Sequence, residues 1–376
     1  MSGLELDGKG FGYERSLTAI NVLLQAAKAR TRTSIYENER LRSRLVSGQT
    51  ALVTGGAGFI GSHVCEYLLD EGWEVYALDD LSTGSEANVL HLKRRPEFHL
   101  TVESVLSSSV VSELCHRCDV VFHLAAAVGV RLIVERPGHT LLTNVRGTEN
   151  VLEYASRFGK PVLLTSSSEV YGDHQADDLP LTEGTRRIYG PTTAKRWAYA
   201  DSKAMDEFLA LARHEEEGLA CVIARLFNTV GPRQSGEYGN VIPRFVRAAL
   251  AGAPLEVHGD GSQTRCFCHV ADTVRALVGL IEEPAAIGEV FNVGSTESVT
   301  IVELAERILE VTGSASELVF VPYEQVYGHG VEEMFQRMPS IEKIRSAIGW
   351  EPTISLDGIL HEVVEHARRE APVSAR

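Results

Sequence analysis

Cysteine is scarce in this chain. Six thiols in 376 residues, at Cys65, Cys115, Cys118, Cys221, Cys266 and Cys268, make no disulfide framework and suit a reducing cytoplasm. Cys115 and Cys118 form a single C-x-x-C; a zinc site needs a second ligand pair, which is missing, and a redox pair is the other use of that spacing. Cys266 and Cys268 alternate within RCFCHV like one face of a strand, which points to core packing. A run of about 18 apolar residues is also lacking, so no membrane-spanning helix is expected. The opening MSGLELDGKGFGYERS is acidic early and has no apolar stretch of the secretory kind. Positive charge is short as well. A formal net charge of −15 excludes a general nucleic-acid or anionic-membrane binder, because no basic field would steer such a partner, but it leaves room for a local basic pocket.

What is present is ordinary for a globular protein: 44% hydrophobic and 23% charged residues, in a length that fits one large or two modest domains. Residues 1–48 read as a helical N-terminal extension. SLTAINVLLQAAKA carries apolar residues at helical spacing, and ENERLRSRLV follows with Leu41 and Leu45 one turn apart. Both segments are expected to dock on the body or on a partner subunit. From residue 49 the rhythm changes. TALVTGG, EVYALDD, DVVFHLAA, PVLLTSS and CVIARLFN are short apolar runs, with the amphipathic stretches SHVCEYLLDEG, GTENVLEYASRFG and SKAMDEFLALARHEEEG between them. Strands alternating with helices imply an α/β fold, a doubly wound parallel sheet covered on both faces. This Rossmann-type domain is expected over 49–232, with return segments near 266–295. Residues 233–376 would form mainly a smaller α/β substrate lobe, from the helical VIPRFVRAALAG, the strands PLEVHG and GEVFNVG, the capped helix TIVELAERILEVTG and a last helical stretch. No internal repeat is visible.

TGGAGFIG places Gly55, Gly58 and Gly61 between the first strand and a helix. That spacing lets a turn approach a pyrophosphate while the helix N-terminus faces its charge. Asp79 ends the next strand, 18 residues after Gly61, and suits the ribose hydroxyls of NAD while repelling the extra phosphate of NADP. YADSK sets Tyr199 and Lys203 four apart on one helical face. The ammonium and a positive nicotinamide ring together would lower the phenol pKa, and the phenolate could take a proton from an alcohol while hydride leaves the same carbon.

With these residues in view the chain resembles the extended short-chain dehydrogenases/reductases, the NAD-dependent epimerase/dehydratase family acting on nucleotide sugars. TGGAGFIG, FHLAA, TSSSEVYGD, YADSK, RLFNTVGPR, GDGSQTRCF and the terminal GWEP occur in that family's order, from about residue 50 to 360. The resemblance implies NAD contacts from Gly55, Gly58, Phe59, Ile60, Gly61, Asp79, Leu124, Ala125 and Ala126, together with Tyr199 and Lys203. It makes Ser167 the hydroxyl of a triad with Tyr199 and Lys203. It assigns Asn228, Asn240, Val241 and Arg244 to the nucleotide diphosphate and uracil, and Arg265 to the sugar or its phosphate. It also implies a homodimer built on the helices after Asn144 and around Tyr199. Asn228 capping a turn and Arg265 in a structural ion pair are the plainer readings. Two positions depart from the family pattern. Ser104 stands where an acid near the adenine is usual, and RMPS, with Ser340, replaces Arg-x-Pro-Asp; the second is expected to concern the small lobe rather than the chemistry.

The remaining question is Glu169, two residues beyond Ser167. In this family a C4 ketone forms first, and its neighbours decide the next step. Simple 4-epimerases generally have a small or apolar residue at this position, and 4,6-dehydratases have an Asp-Glu pair. Here Ser168 stands where the Asp would be, so the acid that protonates a departing hydroxyl is missing. Ser-Glu resembles the UDP-glucuronic acid decarboxylases, as do RCF and RWAY. A 4-keto group turns the C5 carboxylate into a β-keto acid, with Arg265 orienting it and Glu169 managing the proton returned to C5. UDP-xylose or UDP-4-keto-xylose would result. Glu169 held by loop amides is the structural alternative, a UDP-glucuronate 4-epimerase the enzymatic one, and a catalytically silent NAD-binding scaffold the third.

Overall fold

A computed structural model describes residues 49–129, 135–236, 240–322, 325–326 and 336–370. The N-terminal extension therefore lies outside the described residues. Seven strands form the central sheet: β1 (Thr50–Thr54), β2 (Glu74–Asp79), β3 (Phe98–Val102), β4 (Val120–His123), β5 (Val162–Ser167), β6 (Cys221–Leu226) and β11 (Val290–Val293). Their order is β11-β6-β5-β4-β1-β2-β3, and every pairing is parallel. β1, β4, β5 and β6 are buried almost from end to end, as apolar runs without alternation predict when both faces are covered. The helices supply that cover. α1 (Phe59–Asp70) follows β1, α2 (Ser108–Arg117) follows β3, α3 (Pro137–Phe158) follows β4, and α4 (Trp197–Glu217) precedes β6. Val151, Leu152 and Ala155 of α3 meet Leu52, Val121, Leu164 and Ile223 of the sheet in one core. α1 packs with α6 (Val270–Glu282).

A second core gathers the later segments. α5 (Val241–Leu250), α7 (Ile301–Thr312) and α9 (Leu356–Glu370) enclose Phe245, Ile308, Ile359 and Leu360, with Leu255 and Val257 of β8 (Leu255–His258). β8 pairs with β13 (Leu318–Val321). Two further small ladders join β7 (Thr229–Val230) to β10 (Cys268–His269), and β9 (Thr264–Cys266) to β12 (Ser298–Thr300). α7 opens on a reciprocal cap, Thr300 with Glu303, as its Ser/Thr-rich entry suggests. All six thiols are buried, and burial pushes Cys118 and Cys268 up to about 12, in keeping with packing rather than redox work.

The terminal GWEP finds its place through one carboxylate. Asp272 of α6 is 1% exposed; its oxygens accept from the Thr353 and Ile354 amides at 2.9 and 3.0 Å and from the Thr353 hydroxyl at 2.8 Å. Trp350 Nε1 donates to the Asp272 carbonyl at 2.9 Å. α8 (Glu342–Ile348), just before GWEP, packs against α6 and β11. Burial works against the Asp272 charge, but Arg275 and the Ile354 and Thr353 donors outweigh it and hold the carboxyl below its usual value. A depressed carboxyl stabilises the fold fully above its unfolded value near 4, and the contribution fades as pH falls through the lower folded value. Asp272→Ala is therefore expected to cost about 2 kcal/mol at neutral pH, read as a lower urea midpoint, with the deficit shrinking toward acid pH while NAD affinity persists.

Candidate active site

Parallel strands deliver all their carboxyl ends to one edge, and the order reverses between β1 and β4. Such a reversal opens a crevice there. A cavity of about 1040 Å³ lies along this edge. Every candidate residue from the sequence lines it: the glycine turn, Asp79, residues 124–126, Ser167, Glu169, Tyr199, Lys203, Asn228, Asn240, Val241, Arg244 and Arg265. In a chain of net charge −15 its later-sequence wall is basic, with Arg196, Arg244, Arg247, Arg265 and Arg337, which suits an anionic diphosphate.

The dinucleotide end is built on close approach. Gly61 starts the buried side of α1 so near the preceding turn that a Cβ would sit 2.0 Å from the Gly55 carbonyl oxygen. The first amides of α1 thus face the cavity without a side chain between. Asp79 accepts from the Ala57 amide at 2.9 Å and the Leu81 amide at 2.8 Å, so it shapes the loop as well as presenting an acid. Burial raises its pKa, and those amides oppose the rise. Glu103, next to Ser104, lines the same end and supplies the carboxylate that Ser104 does not. These residues fit NAD.

The reacting end is set by β5 and α4. Ser167 ends β5 and caps a tight turn, Ser168–Tyr171, its hydroxyl accepting from the Glu169 amide at 3.2 Å. Gly172 closes the turn at φ +81°, where a Cβ would meet the Ile188 carbonyl. The turn aims Glu169 into the cavity. There Arg337 Nη1 donates to Glu169 Oε1 at 2.6 Å, and Arg196 lies 3.7 Å from Oε2. Burial alone would raise the Glu169 carboxyl; Arg337, Arg196 and Arg265 overcome it and hold the pKa below its usual value. Both oxygens thus face guanidinium groups, not the loop amides of the structural alternative. Arg337 also reaches the Ser168 hydroxyl at 3.3 Å, so one arginine ties both members of the Ser-Glu pair.

Arg337 belongs to RMPS, the segment expected to stand apart from the chemistry, and its position corrects that expectation. The segment is held by backbone: Leu181 N donates to the Met338 carbonyl and Ser340 N to the Leu181 carbonyl, at 2.9 and 2.8 Å. Asn292 Nδ2 bonds both the Leu181 and Ser340 carbonyls. Ser340 serves through its main chain, so its departure from the family pattern leaves the arginine in place. The retained Arg-x-Pro was the signal in the sequence.

Tyr199 is 8% exposed, and the Ser167 hydroxyl lies where it favours the phenol's ionised form. Sequence reasoning expected a lowered phenol from the ammonium and nicotinamide together. In the protein alone the shift runs upward: burial drives it, Glu169 and Asp206 add to it, and Ser167 opposes it. Lys203 Nζ is turned to Asp206 Oδ2, 3.1 Å away. Asn228 Nδ2 reaches across to β9, donating to the Cys266 carbonyl at 2.9 Å, while the residue lines the cavity. Arg244 bonds His258 at 2.9 Å, and Arg265 bonds its neighbouring Thr264 carbonyl at 2.8 Å.

A glycine turn on a parallel sheet, with Ser, Tyr and Lys across a switch-point crevice, defines a nicotinamide-dependent short-chain enzyme. Residues 51–294 match the NAD dependent epimerase/dehydratase family, and the chain belongs to it. It is 40% identical, over 84% of its length and 97% of the relative's, to a UDP-N-acetyl-alpha-D-glucosaminuronate decarboxylase of Bacillus cytotoxicus. It is 37% identical, over 84% of its length and 69% of the relative's, to UDP-glucuronic acid decarboxylase 1 of Arabidopsis thaliana. Among solved structures, the UDP-glucuronic acid 4-epimerase of Bacillus cereus, in complex with UDP-glucuronic acid and NAD, superposes with a TM-score of 0.77 at 28% identity, covering 85% of this chain and 99% of that one. The protein is an NAD-dependent enzyme. Gly61→Ala is expected to weaken NAD binding at least a hundredfold without unfolding the second core, measured by cofactor titration and thermal melting.

Proposed function

We propose that this enzyme removes the C5 carboxylate of UDP-glucuronic acid, giving UDP-xylose or UDP-4-keto-xylose. The observation that carries the reading is the Glu169–Arg337 pair at 2.6 Å beside Ser167 and Tyr199. The decarboxylase names of the relatives support it, and all share a UDP-linked uronic acid. NAD, when bound, supplies the hydride acceptor at C4 and later returns the hydride. Tyr199, as phenolate, takes the C4 hydroxyl proton, and the Ser167 hydroxyl holds that oxygen. Lys203 steadies the phenolate's charge. The ketone so formed lets the C5–C6 bond break, its electrons entering the C4 carbonyl as an enolate while carbon dioxide departs. Arg337, with Arg196 and Arg265, places the substrate carboxylate and stabilises the developing anion.

Glu169 is an anion in the resting site, so it does not donate its own proton. It orients the water that protonates C5, the hydroxide left behind taking up a proton from solvent, and it fixes Arg337. Ser168 carries no acid, which leaves a departing hydroxyl unprotonated and disfavours 4,6-dehydration. Asn228, Asn240, Val241 and Arg244 hold the uridine diphosphate in this reading, and residues 233–376 contribute most of the substrate lobe. The structural likeness to a UDP-glucuronic acid 4-epimerase supports a second reading, in which the ketone is reduced from the other face and the carboxylate survives.

Assembly and place are proposals of the same kind. Leu142, Met205 and Phe208, on α3 and α4, are 52%, 48% and 61% exposed, an apolar surface suited to a homodimer. Among the described residues no helix is long and apolar enough to cross a membrane, and a cytoplasmic location fits the reduced thiols.

Proton NMR of UDP-glucuronic acid incubated with enzyme and NAD tests the reaction. A pentose or 4-keto-pentose is expected; UDP-galacturonate with its carboxylate retained would make the enzyme an epimerase. The N-acetylated uronate, run in parallel, reports the C2 preference. Glu169→Gln and Arg337→Ala should each keep NAD binding and lower carbon dioxide release more than tenfold, about 1.4 kcal/mol in the barrier. Full activity in either variant would remove that residue from the mechanism.

A further inference from the structure

Behind Lys203 lies a carboxylate that the proposed reaction does not use. Asp206 follows Lys203 by one turn of α4, has no exposed surface, and accepts from Lys203 Nζ at 3.1 Å. Lys203 itself is 3% exposed. The second oxygen, Asp206 Oδ1, is buried without a hydrogen-bond partner among the described residues. Burial raises the Asp206 carboxyl, and Lys203 and then the Thr148 hydroxyl oppose the rise. Buried carboxylates are costly unless they do something for a neighbouring charge.

A buried polar chain lies behind Asp206. Thr148 Oγ1 bonds His123 Nε2 at 3.0 Å, His123 Nδ1 bonds Thr54 Oγ1 at 2.7 Å, and Thr54 Oγ1 accepts the Ala125 amide at 3.2 Å. Burial and Lys203 keep His123 neutral, with its pKa pushed down to about 3.

Lys203 and Tyr199 stand four apart on α4, so what holds Lys203 bears on the phenol beside it. Asp206 also acts on Tyr199 directly, adding to the upward shift that burial drives. The other groups acting on Tyr199 are Glu169 and Ser167 from the β5 end and Arg337 from the C-terminal segment. Glu207 also acts on Asp206, from α4.

We propose that Asp206 is a positioning residue: it holds Lys203 at the cavity wall, offsets its charge, and thereby sets the pH at which Tyr199 becomes a base. This rests on Tyr199 being the proton acceptor, a reading that Tyr199→Phe with retained turnover would sink by itself.

The test is Asp206→Asn, isosteric and uncharged, in the full-length protein. The phenol of Tyr199 is titrated by ultraviolet difference against a Tyr199→Phe form in each background, without substrate. Wild-type Tyr199 is expected to ionise above the free-tyrosine value of about 10. In Asp206→Asn the ionisation should fall by at least about half a pH unit, a threefold gain in phenolate at fixed pH. Nicotinamide reduction in a single turnover with UDP-glucuronic acid should show the limb of its pH profile that reports Tyr199 moved down. Asp206→Glu should restore it. A merely structural Asp206 would lower the rate and leave that limb where it was, and that result overturns the proposal. Should Asp206→Asn fail to fold, the wild-type titration still decides: a Tyr199 that ionises at or below the free value shows that the ammonium is not offset.

Discussion

Charge buried without a partner is the constraint that organises this site. Two charged side chains line the reacting end of the crevice, Glu169 and Lys203, with Asp206 buried behind. Each is met by an opposite charge at hydrogen-bonding distance, Glu169 by Arg337 and Lys203 by Asp206. Because Arg337 comes from far along the chain, the pairing of Glu169 requires the C-terminal segment to return across the top of the sheet. The ladder at Leu181 and the Asn292 amide hold it there. Further along, Asp272 draws the GWEP segment against α6 by the same logic, with backbone amides joining the Arg275 guanidinium.

The fold was readable because its determinants are local. A parallel sheet buried on both faces must be written as uninterrupted apolar runs, and TALVT, VVFH and CVIARL are such runs. The glycine turn and the Tyr199–Lys203 pair are equally local, one a close approach of backbone, the other a helical spacing of four. Glu169 stood out for a related reason: an acid one step beyond a hydroxyl-rich strand end has no packing role to explain it. Its partner was a different matter. Arg337 is 168 positions away, and nothing in the spacing of RMPS says which carboxylate it will meet. The direction of the Tyr199 shift was unreadable for the same kind of reason. It depends on how deeply the phenol is buried and on which way Lys203 turns, and both are properties of the packed protein.

Glu103 shows how a sequence position can mislead by one. The strand β3 ends with Val102, and the next residue rather than Ser104 presents its acid to the crevice. A family's usual spacing speaks for one position; the cavity is lined by whichever neighbour points inward.

The strap that carries Arg337 has a consequence for how such enzymes diverge. Among the described residues it contributes no strand to the central sheet and lines the site through Arg337, while main-chain hydrogen bonds tie it to Leu181. In the proposed reaction, a chain without that arginine would keep the sugar's first oxidation and forfeit the subsequent bond cleavage, so a change of reaction in this architecture can begin at its periphery while the oxidising machinery stays intact.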